Sequence, residues 1–387
     1  MPKVVIIMPT YKEAENISKM IPELVDKEFT KIKGAEMHLL IVNDLPGKNQ
    51  KDDGTGEIVR AAMKSRKNLH ILEGPKQGLG WAYIRGMKYA MSEIGADAVM
   101  EMDADFQHPP RFVKPMVEAY LGGADYVIGS RYIPGGSVPK EWAFHRKMVS
   151  FFGNLFIRLV LLKPKLHDLT TGFRLTRVEG VLDKIDLDKL MEPDRFAYKV
   201  DLLYQSIKNA ENVQEVPLEF AARTQEASKF SMKEMVSTFR VAIILGIKDK
   251  QRFIKFGTVG FIGFIVNFLF LRLFRSMGFS ETLAWLFSTE MAIISNYTLN
   301  NIWTFGKEKI TGVVTTVSKF VQFNVTSAGA LVIQSIFGPL GVRLVGEKYD
   351  FIVLAFVVGF LVLPYNYFMY NAVIWRTWRF GKKKIKV

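Results

Sequence analysis

Beyond about residue 250 the chain carries four apolar stretches, at 253–274, 282–303, 320–344 and 351–375. Each reaches the roughly twenty residues that a helix needs to cross a hydrocarbon core about 30 Å thick. The chain before them has a different pattern. Up to about residue 230 the apolar runs are short and alternate with amphipathic segments, as a mostly parallel α/β sheet requires. Strands are expected at 4–8, 39–42, 70–72, 96–102 and 125–128, with helices around 15–26, 57–65, 80–92 and 110–121. The N-terminal apolar run is too short for a signal peptide and reads as the first strand. A hydrophobic content of 49% beside 23% charged residues fits such a join of a soluble part and a membrane part.

Polar residues collect at the predicted strand ends, where ligands bind in open sheets of this kind. Pro9-Thr10-Tyr11-Lys12-Glu13 follows the first strand and Asn43-Asp44 the second. Met102-Asp103-Ala104-Asp105-Phe106-Gln107-His108-Pro109-Pro110 follows a later one. Asp103, Asp105 and Gln107 offer oxygen ligands of the type that Mg²⁺ or Mn²⁺ prefers when it also holds a diphosphate. For an isolated Asp-x-Asp a solvated turn is the alternative; convergence of three acidic strand ends favours a nucleotide-and-metal site. His108, beside two prolines, is expected to pack or hydrogen-bond rather than to ligate. Gly74-Pro75-Lys76-Gln77-Gly78-Leu79-Gly80 leads into a helix whose amides could face an anion. It lacks the Lys-Ser/Thr of a P-loop, and a plain strand–helix connection weighs equally. Asp53-Gly54-Thr55 reads as a structural turn and helix start. The net charge of +14 suits phosphorylated substrates or an anionic bilayer. The absence of cysteine excludes disulfides, thiolate zinc sites and thiol nucleophiles.

These motifs, with Gly129-Ser130-Arg131-Tyr132, His167-Asp168-Leu169-Thr170-Thr171-Gly172-Phe173-Arg174 and Arg223…Ser228-Lys229-Phe230-Ser231, resemble the dolichyl-phosphate mannose synthases. Those are family-2 inverting glycosyltransferases with the GT-A fold, and the resemblance covers residues 1–231. It implies that Pro9, Tyr11, Glu13, Val42 and Asp44 line a donor nucleotide pocket. It further implies Asp103, Asp105 and Gln107 as metal ligands, with Ala104 at the donor. Arg131, Arg223 and Lys229 would face donor or acceptor phosphates, Arg146 would be a further acceptor contact, and Asp105, Arg131 and Arg223 would be catalytic. The chemistry suits those residue types. A lipid phosphate is already an anionic nucleophile, so the site must position it and stabilise charge on the leaving diphosphate. Direct attack at the anomeric carbon predicts inversion. Asn43 stands where the family commonly has Asp, which weakens the assignment of the donor base but not of the metal. Asn43 still offers a donor and an acceptor to a base or ribose.

Residues 148–162 are apolar but only about fifteen long, too short to span. Flanked by Arg146, Lys147, Lys163 and Lys165, they read as an interfacial helix, with a buried core helix as the alternative. Residues 231–250 form a second amphipathic, juxtamembrane candidate. Of the four spans the second is polar, with Glu290, Ser295, Asn296, Asn300 and Asn301, a set expected to face neighbouring helices. Lysines at 307, 309 and 319 and the basic tail put the catalytic domain, that loop and the tail in the cytoplasm by the positive-inside rule. Phe253-Ile254-Lys255-Phe256-Gly257-Thr258-Val259-Gly260 and Asn296-Tyr297…Asn300-Asn301-Ile302-Trp303-Thr304-Phe305 resemble the GtrA-type four-helix membrane domain, over about residues 250–380. The expected activity is transfer of mannose from GDP-mannose to dolichyl (polyprenyl) phosphate with Mg²⁺ or Mn²⁺. A UDP-glucose-dependent glucosyltransferase and a lipid-linked sugar translocator are the alternatives. A homo-oligomer through the membrane helices is compatible with the sequence, whereas no aromatic-basic groove suggests nucleic acid.

Overall fold

The computed structural model describes residues 1–47, 51–222 and 232–377. The chain divides into two compact units, Met1–Gly246 and Ile247–Val387.

The first unit is built on a seven-stranded sheet. Its strands are β1 (Lys3–Thr10), β2 (Glu36–Leu45), β3 (Leu69–Pro75), β4 (Ala98–Glu101), β5 (Tyr126–Ser130), β6 (Arg174–Arg177) and β7 (Val213–Pro217), in the order β3-β2-β1-β4-β6-β5-β7. All pairings are parallel except those of β6, which runs antiparallel to β4 and to β5. The near-continuous Val/Ile runs of β1 and β2 follow from burial on both faces: Val4, Ile6 and Met8 of β1 face one core, while Val5 and Ile7 face another. Helices α1 (Ala14–Ile21), α2 (Thr55–Met63) and α4 (Val113–Leu121) cover the first face, and α3 (Leu79–Tyr89) the second.

A third core lies beyond β5. There α5 (Phe144–Val160) and α6 (Tyr198–Asn209) pack with the first turns of α7, which runs over Met232–Ser276 and passes into the second unit. The expected interfacial helix is amphipathic in fact: Asn154 and Ile157 are buried, whereas Val149, Phe151, Phe152 and Leu159 are exposed. Gly246 explains how closely α7 approaches α5, since a Cβ there would sit 2.8 Å from Val160 Cγ1.

The second unit is helical. After α7 come α8 (Glu281–Leu299), continued by Asn300–Thr304, then α9 (Val313–Val345), and a last segment built from α10 (Asp350–Phe356) and α11 (Leu363–Met369) joined through π-helical turns. Among the described residues three helices are long and apolar enough to cross a membrane: Met232–Ser276, Val313–Val345 and Ile352–Ile374. The second expected span is a helix but falls short of that measure, because its polar residues dilute it. Asn300 and Asn301 are buried as expected; Asn301 accepts from the Ile310 amide at 2.8 Å and the Trp375 indole at 3.1 Å. Glu290 departs from the expectation and is exposed on the unit.

Candidate active site

The parallel strands β1, β2, β4 and β5 deliver their C-terminal ends to one edge of the sheet, and antiparallel β6 starts there. A cavity of about 550 Å³ lies over that edge within the first unit. Pro9, Tyr11, Glu13, Asp44, Asp103, Ala104, Asp105, Gln107, Arg131 and Arg146 all line it, so strand ends far apart in sequence are brought together. Val42 is not on the wall. It is fully buried, against the place where α3 crosses, and a Cβ at Gly86 would lie 2.8 Å from its Cγ2. Arg223 and Lys229 lie outside the described residues.

The loop after β1 is fixed by two turns acting on each other. Asp53 Oδ2 accepts from the Ala14 amide at 2.9 Å and Oδ1 from the Thr55 hydroxyl at 2.6 Å, while Thr55 Oγ1 accepts from the Glu13 amide at 3.1 Å. The Asp53-Gly54-Thr55 turn therefore caps two helix starts at once. Above it the Lys76 ammonium stands 3.2 Å from the centroid of the Tyr11 ring. Asp44 is buried and holds Arg85 at 2.6 Å; burial raises its carboxyl above the ordinary range, with Arg85 opposing. Asn43 turns away from the cavity edge, accepting from Thr10 at 3.1 Å and donating to Glu73 at 3.3 Å. A base or ribose contact through its side chain would have to break those bonds.

Gly78 and Gly80 serve close packing. A Cβ on Gly78 (φ +120°) would meet the Asp194 backbone at 2.6 Å, and one on Gly80 would meet the Tyr198 ring at 2.7 Å. The first-turn amide of Trp81 donates to the Pro193 carbonyl at 3.1 Å, so this α3 donor faces protein.

In the acidic loop Phe106 adopts φ +58°, a left-handed conformation that turns the chain sharply after Asp105. Asp105 Oδ1 accepts from the Gln107 amide at 3.1 Å. Asp103 Oδ1 accepts from the Tyr83 hydroxyl at 2.8 Å. His108 is buried, its ring stacked on Phe173 at 5.1 Å, and its Nδ1 accepts from the Asp103 amide at 3.1 Å. Burial lowers its pKa, favouring the neutral ring that this acceptor role requires, in agreement with a packing residue.

Arg131 is placed more tightly than a solvent-facing phosphate contact would be. Its Nε and Nη2 fork onto Asp168 at 2.7 and 2.8 Å, and its own amide donates to the same carboxylate at 3.0 Å. Asp168 also accepts from the amides of Thr170 and Thr171, both at 3.1 Å. Burial alone would raise the Asp168 carboxyl, but Arg131 and these amides outweigh it and hold the pKa below the ordinary value. At the far end Arg146 stacks on Trp142 at 4.0 Å. From there the cavity runs along Val149, Gly153 and Ile157 of α5 towards Met235 and Phe239 of α7.

Several site residues had no signal in the sequence. Tyr83 and Lys199 sit inside ordinary amphipathic helices, and Asp194, Arg195 and Phe196 belong to a loop with no motif. Asp168 lay in a recognisable stretch, but its partner was not legible there.

A mostly parallel sheet with carboxylates at its strand ends, over a cavity that continues along an amphipathic helix, agrees with the GT-A architecture expected from the sequence. The chain belongs to glycosyl transferase family 2: residues 5–183 match that family, and residues 255–375 match the GtrA/DPMS transmembrane domain. It is 31% identical over 340 residues to a dolichol-phosphate mannosyltransferase of Pyrococcus furiosus, covering 86% of this chain and 89% of the relative. It is 35% identical over 255 residues to a polyprenol monophosphomannose synthase of Mycolicibacterium smegmatis, covering 65% and 90% of the two chains. An undecaprenyl-phosphate mannosyltransferase of Micrococcus luteus is 35% identical over 230 residues, or 59% of this chain and 88% of that one.

Proposed function

We propose that this chain transfers mannose from GDP-mannose to a polyprenyl phosphate, dolichyl phosphate being the acceptor we favour, with inversion at the anomeric carbon. One observation carries the reading: one cavity joins the acidic strand ends to a groove between α5 and α7, where Val149, Ile157, Met235 and Phe239 line it together with Ser150, Asn154, Glu234 and Thr238. A nucleotide sugar suits the first end and an isoprenoid chain the second. The names of the curated relatives support mannose and a polyprenyl phosphate.

The donor set fits Mg²⁺ or Mn²⁺. Two carboxylates and one carboxamide give hard oxygen ligands, and Gln107, buried at the cavity wall, makes no side-chain hydrogen bond among the described residues. Among those residues no group of three His, Cys, Asp or Glu side chains is arranged for a metal. A cation here would complete its shell with diphosphate oxygens and water. Asp105 and Gln107 would hold it with Asp103 beside them, and it would stabilise charge on the departing nucleoside diphosphate. Tyr11 and Lys76 form a ring-and-cation face for the nucleotide. Arg146 on Trp142 offers a cation where the acceptor phosphate would enter. Arg223 and Lys229 would offset repulsion between the two phosphorylated substrates, while Arg131, paired with Asp168, would shape the cavity wall where they meet. In this reading the catalytic domain and basic tail are cytoplasmic, as the positive-inside rule suggests, which would require an even number of crossings and hence that α8 also spans.

Purified full-length chain, given Mn²⁺, polyprenyl phosphate and radiolabelled nucleotide sugars, should form a mannolipid from GDP-mannose, and Asp105→Ala should lower transfer at least about a hundredfold, the scale of one lost charge-stabilising group. Preference for UDP-glucose would replace the donor assignment. Wild-type transfer by Asp105→Ala would remove the metal assignment.

A further inference from the structure

Lys199 is the least expected group at the site. It is the second residue of α6 and is fully buried, and its Nζ makes no hydrogen bond among the described residues. A buried ammonium is strongly unfavourable unless charge or aromatic faces compensate it. Three compensations are present: Asp103 Oδ1 lies 3.7 Å away, and the Tyr83 and Phe196 ring centroids 4.6 and 5.5 Å away. Tyr83 and Asp103 also bond each other, Tyr83 donating to Asp103. A further neighbour is Gly172, itself a residue of the cavity wall. A Cβ on Gly172 would collide with the ammonium, so only the glycine backbone separates Lys199 from the cavity there.

We infer that Lys199 is a positioning residue of the reaction: from behind the wall its ammonium seats the Asp103 carboxylate at the rear of the acidic loop and cancels one negative charge there. Two quantities are thereby set together. The loop takes a divalent cation less tightly than two uncompensated carboxylates would, and an incoming diphosphate meets less repulsion. Asp105 and Gln107 are left as the forward ligands, and Asp103 is a fixed one behind them. The inference rests on the proposed function of the acidic loop.

The test uses detergent-purified full-length chain and reads binding rather than turnover. Mn²⁺ is titrated by electron paramagnetic resonance, and GDP by calorimetry in the presence of a chelator. Lys199→Met should bind Mn²⁺ about tenfold more tightly and metal-free GDP about tenfold more weakly, the scale of one charge at this distance. Lys199→Arg, which keeps the charge, should lie near wild type for both ligands. Opposite movement is the signature, because local unfolding would weaken both ligands together. Parallel losses, or no change in either, overturn the inference. Should Lys199→Met yield no folded protein, Gly172→Ala keeps the ammonium but displaces it, and must move the two affinities in opposite directions to a smaller extent; any other result overturns it. If the wild-type chain binds no Mn²⁺, the reading of the acidic loop itself fails; if it does and Lys199→Met is unchanged, only the role of Lys199 falls.

Discussion

Replacing Arg131 by Met isolates what the Arg131–Asp168 pair contributes. The variant keeps the stem of the side chain and removes a guanidinium that makes two bonds to Asp168 and one to Thr170 Oγ1 at 2.7 Å. Asp168 is wholly buried and would keep its backbone donors but lose its counter-charge. Breaking a buried pair from one side costs about 3–5 kcal/mol, mostly from the uncompensated charge left behind. For a unit the size of Met1–Gly246 this lowers the unfolding temperature on the order of 10 °C. Differential scanning fluorimetry at a fixed scan rate reads the shift. The double variant Arg131→Met with Asp168→Asn leaves no buried charge and retains an oxygen for the Thr170 and Thr171 amides, so it should recover at least about half of the loss. A shift within about 2 °C for the single variant, or a double variant no more stable than it, would refute the argument that the pair is a strut.

The same pair makes a prediction about acid. Asp168 has a folded pKa below its ordinary 3.8, so its stabilisation is complete above that value and is lost as pH falls through the depressed one. The melting advantage of the wild-type chain over the double variant should therefore be flat above about pH 5 and shrink below about pH 4. At the other side of the site, Gly80→Ala would drive a methyl into the Pro193 carbonyl and the buried Tyr198 ring. Overpacking of that kind costs about 1–3 kcal/mol; an unchanged melting temperature would show that the 193–198 segment yields.

The sequence was most informative where periodicity and chemistry coincide. The runs of β1 and β2 are buried on both faces and hence continuous, and Asp103, Asp105 and Gln107 stand at a strand end followed by two prolines. Elements whose character is set by tertiary partners were not legible. β6 is four residues long, Arg-Leu-Thr-Arg, and is a strand only because it fills the gap between β4 and β5. β7 is half-exposed and lacks alternation. Val42 illustrates the opposite failure: it shares a strand face with Asp44, two residues on, but lies one step further from the strand end, where α3 packs over it. Lys199 reads as a surface lysine because its burial comes from Tyr83, Phe196 and Gly172, none of them predictable from helix spacing.

β5 and β6 are adjacent and antiparallel, with Ile128 opposite Arg174. The chain therefore leaves the sheet at Ser130 and returns at Arg174 beside its point of departure, having made α5 on the way. Residues 131–173 form in effect one long hairpin connection closed at its base by Arg131 and Asp168. Such an excursion can lengthen, shorten or exchange its helix with little entropic change in closing the loop, while the register of β1, β2 and β4 under the acidic loops stays put. The segment that carries α5 is thus separable in its variation from the sheet that carries the acidic loops, and a family built on this plan can change one wall of its cavity without rebuilding its sheet.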